Sequence, residues 1–389
     1  MMKRFYLDEN ATTRLDPGVA AVMAGLDGEM LGNPSSLHGE GRRARGEIDS
    51  ARDTVADWLG AKPSEIIFTS GGTESCNLAI LGLARAHRSR GRHLITTSTE
   101  HHAVLHACRA LEMREGFAVT YLPVDRDGRV DPADLERAIV PETILVSIMS
   151  ANNETGVRQP MRELGAICAR HGVPFHTDAV QSAGKEALDL AGWNVAALSV
   201  AAHKFHGPLG AGVLYLKAGL PIVRLMEGGA HENERRPGTE NTVAIAGLAE
   251  AVRLYGAVDA EKTRRQAGWI ESLWARLEKL GDVRRNGHAA ERLANTLNVT
   301  FHGLHPEELL IALDLAGLAV SSGSACLVGS VQPSHVLAAM GLASDDAATV
   351  RFSIGSDIAD EDLDEIASRV GRIVVHQRAL RGSLAEVPA

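Results

Sequence analysis

The sequence predicts an α/β protein: a large domain built on a mostly parallel, seven-stranded sheet, with a smaller α+β domain. Two observations carry this. Between about residues 60 and 250, short β-rich apolar runs alternate with segments of helical period, as expected of buried strands joined by crossover helices. After about residue 255 the texture changes to one long helical stretch followed by mixed strands and helices. A chain of 389 residues is long enough for two such units.

The elements follow in order. "EIIFTS" (65–70) reads as a strand, and "ESCNLAILGLARAHRS" (74–89) has helical period. "HLITTS" (93–98) is a strand, "HAVLHACRALEMREG" (102–116) a helix ending at a glycine, and "AVTYLPV" (118–124) a further strand. "DPADLERAI" (131–139) starts a helix with an Asp cap and a Pro at the first helical position. "TILVSIMSA" (143–151) is a buried strand, and "MRELGAICARHG" (161–172) the helix after it. "VPFHTDAV" (173–180), "VAALSV" (195–200) and "AGVLYLK" (211–217) complete the seven strands. Beyond them come the long helix "EKTRRQAGWIESLWARLEKLG", the strand "TLNVTF", the helix "HPEELLIALDLAG", the segment "LAVSSGS" and a final helix from about 358. No internal repeat or low-complexity tract interrupts the chain.

Composition narrows the function. The chain is 45% hydrophobic and 23% charged, with a net charge of −9, which is a poor basis for general nucleic-acid or membrane-surface binding. The N-terminus "MMKRFYLDENATT" has no apolar signal region, and no window approaches the ~18 uninterrupted apolar residues of a membrane span. The expectation is a cytoplasmic protein. Cys76, Cys108, Cys168 and Cys326 form no CxxC pair, so neither a structural zinc site nor a thioredoxin-like motif is expected. Buried, inert cysteine is the ordinary reading for such thiols. Cys326 departs from it, because "SSGSACLVGS" (321–330) surrounds it with small residues.

Three segments could carry chemistry. In "TSGGTESCN" (69–77) a strand ends at two glycines and a threonine before a helix begins. Free N–H groups and the dipole of a helix N-terminus suit an anion, and Gly71 and Gly72 allow close approach. The segment is neither GxxxxGK[ST] nor GxGxxG, and a plain glycine-rich turn remains open. In "FHTDAVQSAGK" (175–185), Asp178 follows an apolar strand, at the end where open α/β sheets bind ligands. It can pair with a protonated ring nitrogen or simply cap a helix. In "SVAAHKFHGPLGAG" (199–212), Lys204 is an exposed loop lysine or an enclosed amine able to form a Schiff base. Together, a phosphate cradle, an Asp for a pyridinium nitrogen and a lysine for an aldehyde are what pyridoxal 5′-phosphate requires.

The order of these motifs resembles the cysteine desulfurases of the NifS/IscS type, in the class V branch of the fold-type I pyridoxal-phosphate enzymes. The likeness runs nearly end to end. It includes "YLDENATT" (6–13), "GNPSSLHGEGR" (32–42), "FTSGGTES" (68–75), "TEHHAVL" (99–105), "SANNETG" (150–156), "FHTDAVQSAGK", "HKFHGPLGAG" (203–212), "GGAHENERRPGTEN" (228–241), "SSGSAC" (321–326), "QPSHVLAAMGL" (332–342) and "VRFSIG" (350–355). "GNPSSLH", "ANNETG", "HTDAVQ" and "GTEN" lean toward the NifS branch.

The resemblance implies a fold-type I architecture, with a large domain over 14–256 and a small one from 1–13 and 257–389 that carries a cysteine loop at about 321–333. It implies that L-cysteine becomes L-alanine while its sulfur passes to Cys326 as a persulfide, then to an acceptor such as an iron–sulfur scaffold. Lys204 would hold the cofactor and move protons, Asp178 would pair with the ring nitrogen, and His101 would stack on the ring and shuttle a proton. Gln181 would bond the ring's phenolic oxygen, with Asn153 nearby. Gly72, Thr73 and His203 would bind phosphate, and Thr239 would reach the phosphate of a second subunit, which implies a homodimer. Arg351 and Asn33, with Asn153, would hold the substrate carboxylate. No metal is implied.

Departures concern Ala201-Ala202, where many relatives carry Ser-Gly or Cys-Gly, so that a phosphate hydroxyl is lost. Ala230 and Pro237 replace residues commonly glycine or small in the dimer-contact segment. Competing readings are a class V aminotransferase, which needs no Cys326, a selenocysteine lyase, and a catalytically idle cofactor-binding scaffold.

Overall fold

A computed structural model describes residues 3–28, 30–322, 334–344 and 346–385. The chain begins with a two-residue strand, β1 (Phe5–Tyr6), followed by helices α1 (Pro17–Asp27) and α2 (Gly39–Leu59). Asp16 caps α1 by accepting from the Gly18 amide, and Pro17 takes the first helical position, where no N–H is needed. Along α2, Ala44, Ile48, Ala51, Val55 and Leu59 are buried and fall on one face at helical spacing. The strand–helix alternation that guided the sequence reading starts after these two helices. Small apolar residues set among Arg and Asp made α2 hard to see.

The alternation then runs as read: β2 (Ile66–Thr69), α3 (Gly72–His87), β3 (His93–Thr97), α4 (His102–Glu115), β4 (Ala118–Leu122), α5 (Pro132–Ala138), β5 (Thr143–Ser147), α6 (Met161–Arg170), β6 (Phe175–Asp178), β7 (Ala197–Ala201) and β8 (Gly212–Leu216). These seven strands β2 to β8 form one sheet in the order β2-β8-β7-β6-β5-β3-β4. Strand β8 runs antiparallel to both neighbours, and every other pair is parallel. Helix α7 (Thr242–Tyr255) packs with α1 and α2 over one face of the sheet, where Val19, Val55, Phe175, Val200 and Leu248 share a core. Helices α3 and α4 cover the other face through Leu78, Leu83, Val104, Leu111 and Leu145. Both faces are therefore buried, which is why the strands read as unbroken apolar runs.

The rest of the chain builds a second core. It contains α8 (Ala260–Leu277), β9 (Val283–Asn286), β10 (Thr296–His302), α9 (Pro306–Leu315), β11 (Leu318–Ala319), α10 (His335–Ala339), β12 (Ala347–Ser353) and α11 (Asp360–Ala385). Strands β12, β10 and β9 pair antiparallel, in that order. Strand β1 pairs parallel with β11, so Phe5 and Leu7 join the core of Ile270, Phe301, Phe352 and Ile366. This pairing carries residues 8–13 across to the C-terminal ends of the large sheet. Among the described residues, no helix is long and apolar enough to cross a membrane.

One buried histidine ties sheet packing to pH. On β6, His176 is fully enclosed, with Nδ1 2.8 Å from Ser147 Oγ and Nε2 3.0 Å from Ser199 Oγ. A neutral ring satisfies both hydroxyls, and burial lowers its pKa from 6.5 to about 3. The unfolded chain therefore takes up a proton here that the fold refuses. This contribution is fully present above about 6.5 and is lost as pH falls toward 3, by about 1.4 kcal/mol per pH unit. Urea unfolding of wild type and His176→Gln between pH 7 and 4 checks it: the variant should lose stability with acid by that much less per unit.

Candidate active site

The parallel strands end on one side of the sheet, and the loops leaving those ends line a cavity of about 420 Å³. Nine of the residues singled out in the sequence face it: Gly72, Thr73, His101, Asn153, Asp178, Gln181, His203, Lys204 and Arg351. Asn10, Ala11 and Ala201 line it as well. A larger hollow of about 510 Å³ holds Arg45, Arg52, Glu232 and Glu240. Two of its carboxylates are paired, Glu232 with Arg52 at 2.6 Å and Glu240 with Arg45 at 3.0 Å.

Each side chain is placed by an element. Helix α3 begins at Gly72 with no side chain capping its first turn, leaving that turn suited to an anion. Gly71, at φ +149°, makes the turn, and a Cβ on Gly72 would stand 2.7 Å from Val180 Cγ2. The same Cβ would lie 3.6 Å from that of Ala201, so Ala201 faces this cradle without a hydroxyl. His203 Nδ1 is 3.1 Å from Thr12 Oγ1. Burial, reinforced by Lys204 and Lys185, brings its pKa down to about 4, leaving a neutral ring.

Asp178 closes β6 with its Oδ1 held 3.0 Å from the Val180 amide, and the carboxylate is largely buried. His101 caps α4: its Nδ1 accepts from the Ala103 amide at 3.1 Å, so the proton of the neutral ring sits on Nε2. Burial lowers its pKa, opposed by Asp178. Beneath it, the buried Glu100 accepts from Thr97 and Met149 through one oxygen, while the other has no partner among the described residues. Burial raises that carboxyl to about 8, so it is held neutral.

Lys204 follows β7, and its Nζ donates to the carbonyls of Asn10 at 2.7 Å and Ala11 at 2.8 Å. Arg351 on β12 is almost wholly buried. It donates to Asp8 Oδ1 and to the Asn153 carbonyl, each at 2.7 Å, while Nε has no partner among the described residues. An arginine so fixed on the cavity wall is a fitting anchor for a carboxylate.

The other candidates lie elsewhere. Asn33 shapes a turn, accepting from the Ser35 amide at 2.8 Å, and is not in the cavity wall. Thr239 lines a separate hollow of about 200 Å³ with Arg236 and Ser70. Cys326 and most of the 321–333 loop lie outside the described residues. Cys76, Cys108 and Cys168 are buried. Burial pushes the thiols of Cys108 and Cys168 up to about 12 and that of Cys76 well above its usual range, so none is a ready nucleophile.

Sequence reasoning assigned no role to Asp8, Asn10 or Lys185. The stretch "YLDENATT" was visible as a motif, but nothing in it tells that Asp8 meets Arg351 or that Asn10 meets Lys204. Those contacts join residues more than 190 positions apart.

The family model described as aminotransferase class V matches residues 5–366. A cysteine desulfurase IscS of Methanosarcina thermophila is 45% identical over 373 residues, covering 96% of this chain and 92% of that one. The chain belongs to the cysteine desulfurases of the class V aminotransferase family. A solved NifS-like protein of the same family superposes with a TM-score of 0.90 at 36% identity, covering 96% of this chain and 100% of that one. The structure of SspA in complex with cysteine superposes with a TM-score of 0.80 at 38% identity, covering 90% and 99%. The mostly parallel sheet with its appended antiparallel sheet is the fold-type I architecture of these desulfurases. The relatives include both IscS and NifS-like names.

Proposed function

We propose that the protein is a pyridoxal-phosphate-dependent cysteine desulfurase that converts L-cysteine to L-alanine and receives the sulfur on Cys326. One observation supports this most: a single cavity gathers Lys204, Asp178, His101, an uncapped helix N-terminus and a buried arginine.

These residues fit the cofactor. The α3 N-terminus at Gly72 and Thr73, with His203, would hold its phosphate, and Asp178 its ring nitrogen. Lys204 would carry it covalently, and Thr239 would serve the phosphate of a second subunit. When bound, the cofactor supplies an electron sink that labilises bonds around the substrate α-carbon.

The chain supplies the rest. Arg351, held by Asp8 and Asn153, would orient the substrate carboxylate. The Lys204 amine, anchored on two carbonyls, is the base that shuttles the α-proton. His101, with its proton on Nε2, can donate one to a departing group. The Cys326 thiolate attacks the substrate sulfur, so an S–S bond forms as the C–S bond breaks. The C–S electron pair stays with carbon, which takes up a proton to become the alanine methyl group. Sulfur leaves as a persulfide, and no external oxidant is needed. Transfer to an acceptor such as an iron–sulfur scaffold, a homodimeric assembly and a cytoplasmic location complete the proposal.

Purified protein given L-cysteine and a dithiol reductant should release alanine and sulfide in equal amounts. Amino-group transfer to a keto acid without sulfide would overturn the reading in favour of an aminotransferase. Relative turnover of selenocysteine measures any preference for the heavier chalcogen.

A further inference from the structure

Behind the cavity wall lies a lysine that the proposed reaction does not use. Lys185 follows β6 and lines a second, smaller cavity of about 130 Å³, together with Glu9, Lys204 and Lys262. Its Nζ is 3.1 Å from Gln181 Oε1 and 3.4 Å from Asn10 Oδ1, two amide oxygens of residues that line the main cavity. Burial, aided by Lys204, draws this ammonium down to about 7.

A glutamine amide can turn end for end with little change in shape, and only its partners decide which end faces where. Gln181 is 4% exposed, so water does little to settle its orientation. Its Nε2 donates to the Asn10 carbonyl at 3.0 Å. That carbonyl also accepts from Lys204 at 2.7 Å, so the Asn10 backbone links Gln181 to the reactive amine. The carbonyl accepts only, and Lys185 donates to the amide oxygens of Gln181 and Asn10. The two therefore demand the same orientation: oxygen toward Lys185, nitrogen toward Asn10. The second Nε2 hydrogen is then left for the cavity. If the amide turned over, two acceptors would face each other at Asn10 and two donors at Lys185.

We infer that Lys185 is a positioning residue: it fixes the Gln181 amide so that an N–H donor, and not a carbonyl, faces the oxygen of whatever aromatic ring occupies the cavity. Lys185 also bonds Asn10 Oδ1, which accepts from Asn295 at 3.1 Å, so one ammonium ties the N-terminal segment to this wall. The inference rests on the cofactor reading above. It adds that the donor character of Gln181 is imposed from outside the cavity.

The test uses Lys185→Met, Gln181→Leu and the double variant. Methionine keeps the length and removes the donor to Gln181 Oε1 and Asn10 Oδ1. Lys185→Gln is made alongside in case the Met variant does not fold. Its amide can turn to donate or accept, so it should show a smaller effect of the same sign. Pyridoxal phosphate binding to cofactor-free protein is measured by dialysis, and the absorption maximum of the loaded protein is recorded. We expect Lys185→Met to weaken binding about tenfold and to shift the absorption maximum. Gln181→Leu should do the same, and the double variant should be no worse than Gln181→Leu alone, because the lysine acts through the glutamine. Additive effects, or a Lys185→Met protein with normal affinity and spectrum, overturn the inference while the desulfurase reading stands. If wild type binds no pyridoxal phosphate, both fall together.

Discussion

Lys204→Ala should retain its fold and lose desulfurase activity by on the order of a thousandfold or more. The lysine amine is the cavity's group able to bond covalently to an aldehyde, and it is also the base assigned to the α-proton in the proposed reaction. Removing it leaves the Ala11 carbonyl without its side-chain donor and the Asn10 carbonyl with Gln181 alone, at a cost of about 1–3 kcal/mol. That is a small part of the stability of a chain with two large cores. The variant should bind pyridoxal phosphate reversibly and release it on dialysis, whereas wild type keeps it. Lys204→Arg is the control for charge: it restores a cation near the carbonyls, yet its guanidinium does not act as the amine nucleophile. Both variants should yield no alanine. If Lys204→Ala retains cofactor through dialysis and still turns over cysteine, the assignment of the reactive amine is wrong.

Cys326→Ser is expected to keep its cofactor and lose sulfide release by at least a hundredfold. Sulfur transfer needs a thiolate, and a serine hydroxyl is too weakly acidic and too poor a nucleophile toward sulfur to replace it. No other cysteine is placed to substitute. Cys76, Cys108 and Cys168 are buried, and burial holds their thiols protonated far above neutral pH. Cys108→Ala and Cys168→Ala should therefore release sulfide at close to the wild-type rate. Sulfide and alanine are measured together, since the serine variant separates binding from sulfur transfer. A Cys326→Ser protein that releases sulfide normally would remove the proposed acceptor and direct attention to an external thiol.

The candidate groups that line the cavity were legible in the sequence because each follows a recognisable local signal. Lys204 and Asp178 come directly after apolar strands, and Gly72 and Thr73 stand where a strand turns into a helix. The seven strands were legible for a related reason: with helices packed on both faces, nearly every position is apolar. Helices α1, α2 and α7 lie outside the stretch where strands and helices alternate most plainly. Their apolar faces are rich in alanine and glycine, which signal a helix less clearly than leucine would. Asn33 and Thr239 were singled out by motif alone, and in a single chain they stand apart from the main cavity.

What the sequence determined by itself is the order of strands and helices, the candidate chemistry at Lys204, Asp178 and His101, and the isolation of Cys326 among small residues. What only the tertiary structure decided is how the groups are aimed. Asp8 holds Arg351, Asn10 anchors both Lys204 and Gln181, and Lys185 sets the Gln181 amide from behind the wall. These contacts depend on β1 pairing with β11, which carries the N-terminal segment across the molecule to the ends of the large sheet. Residues far apart in the chain leave no periodicity to read. Their meeting is set by burial of Phe5 and Leu7 in the second core, a consequence of packing and not of local pattern.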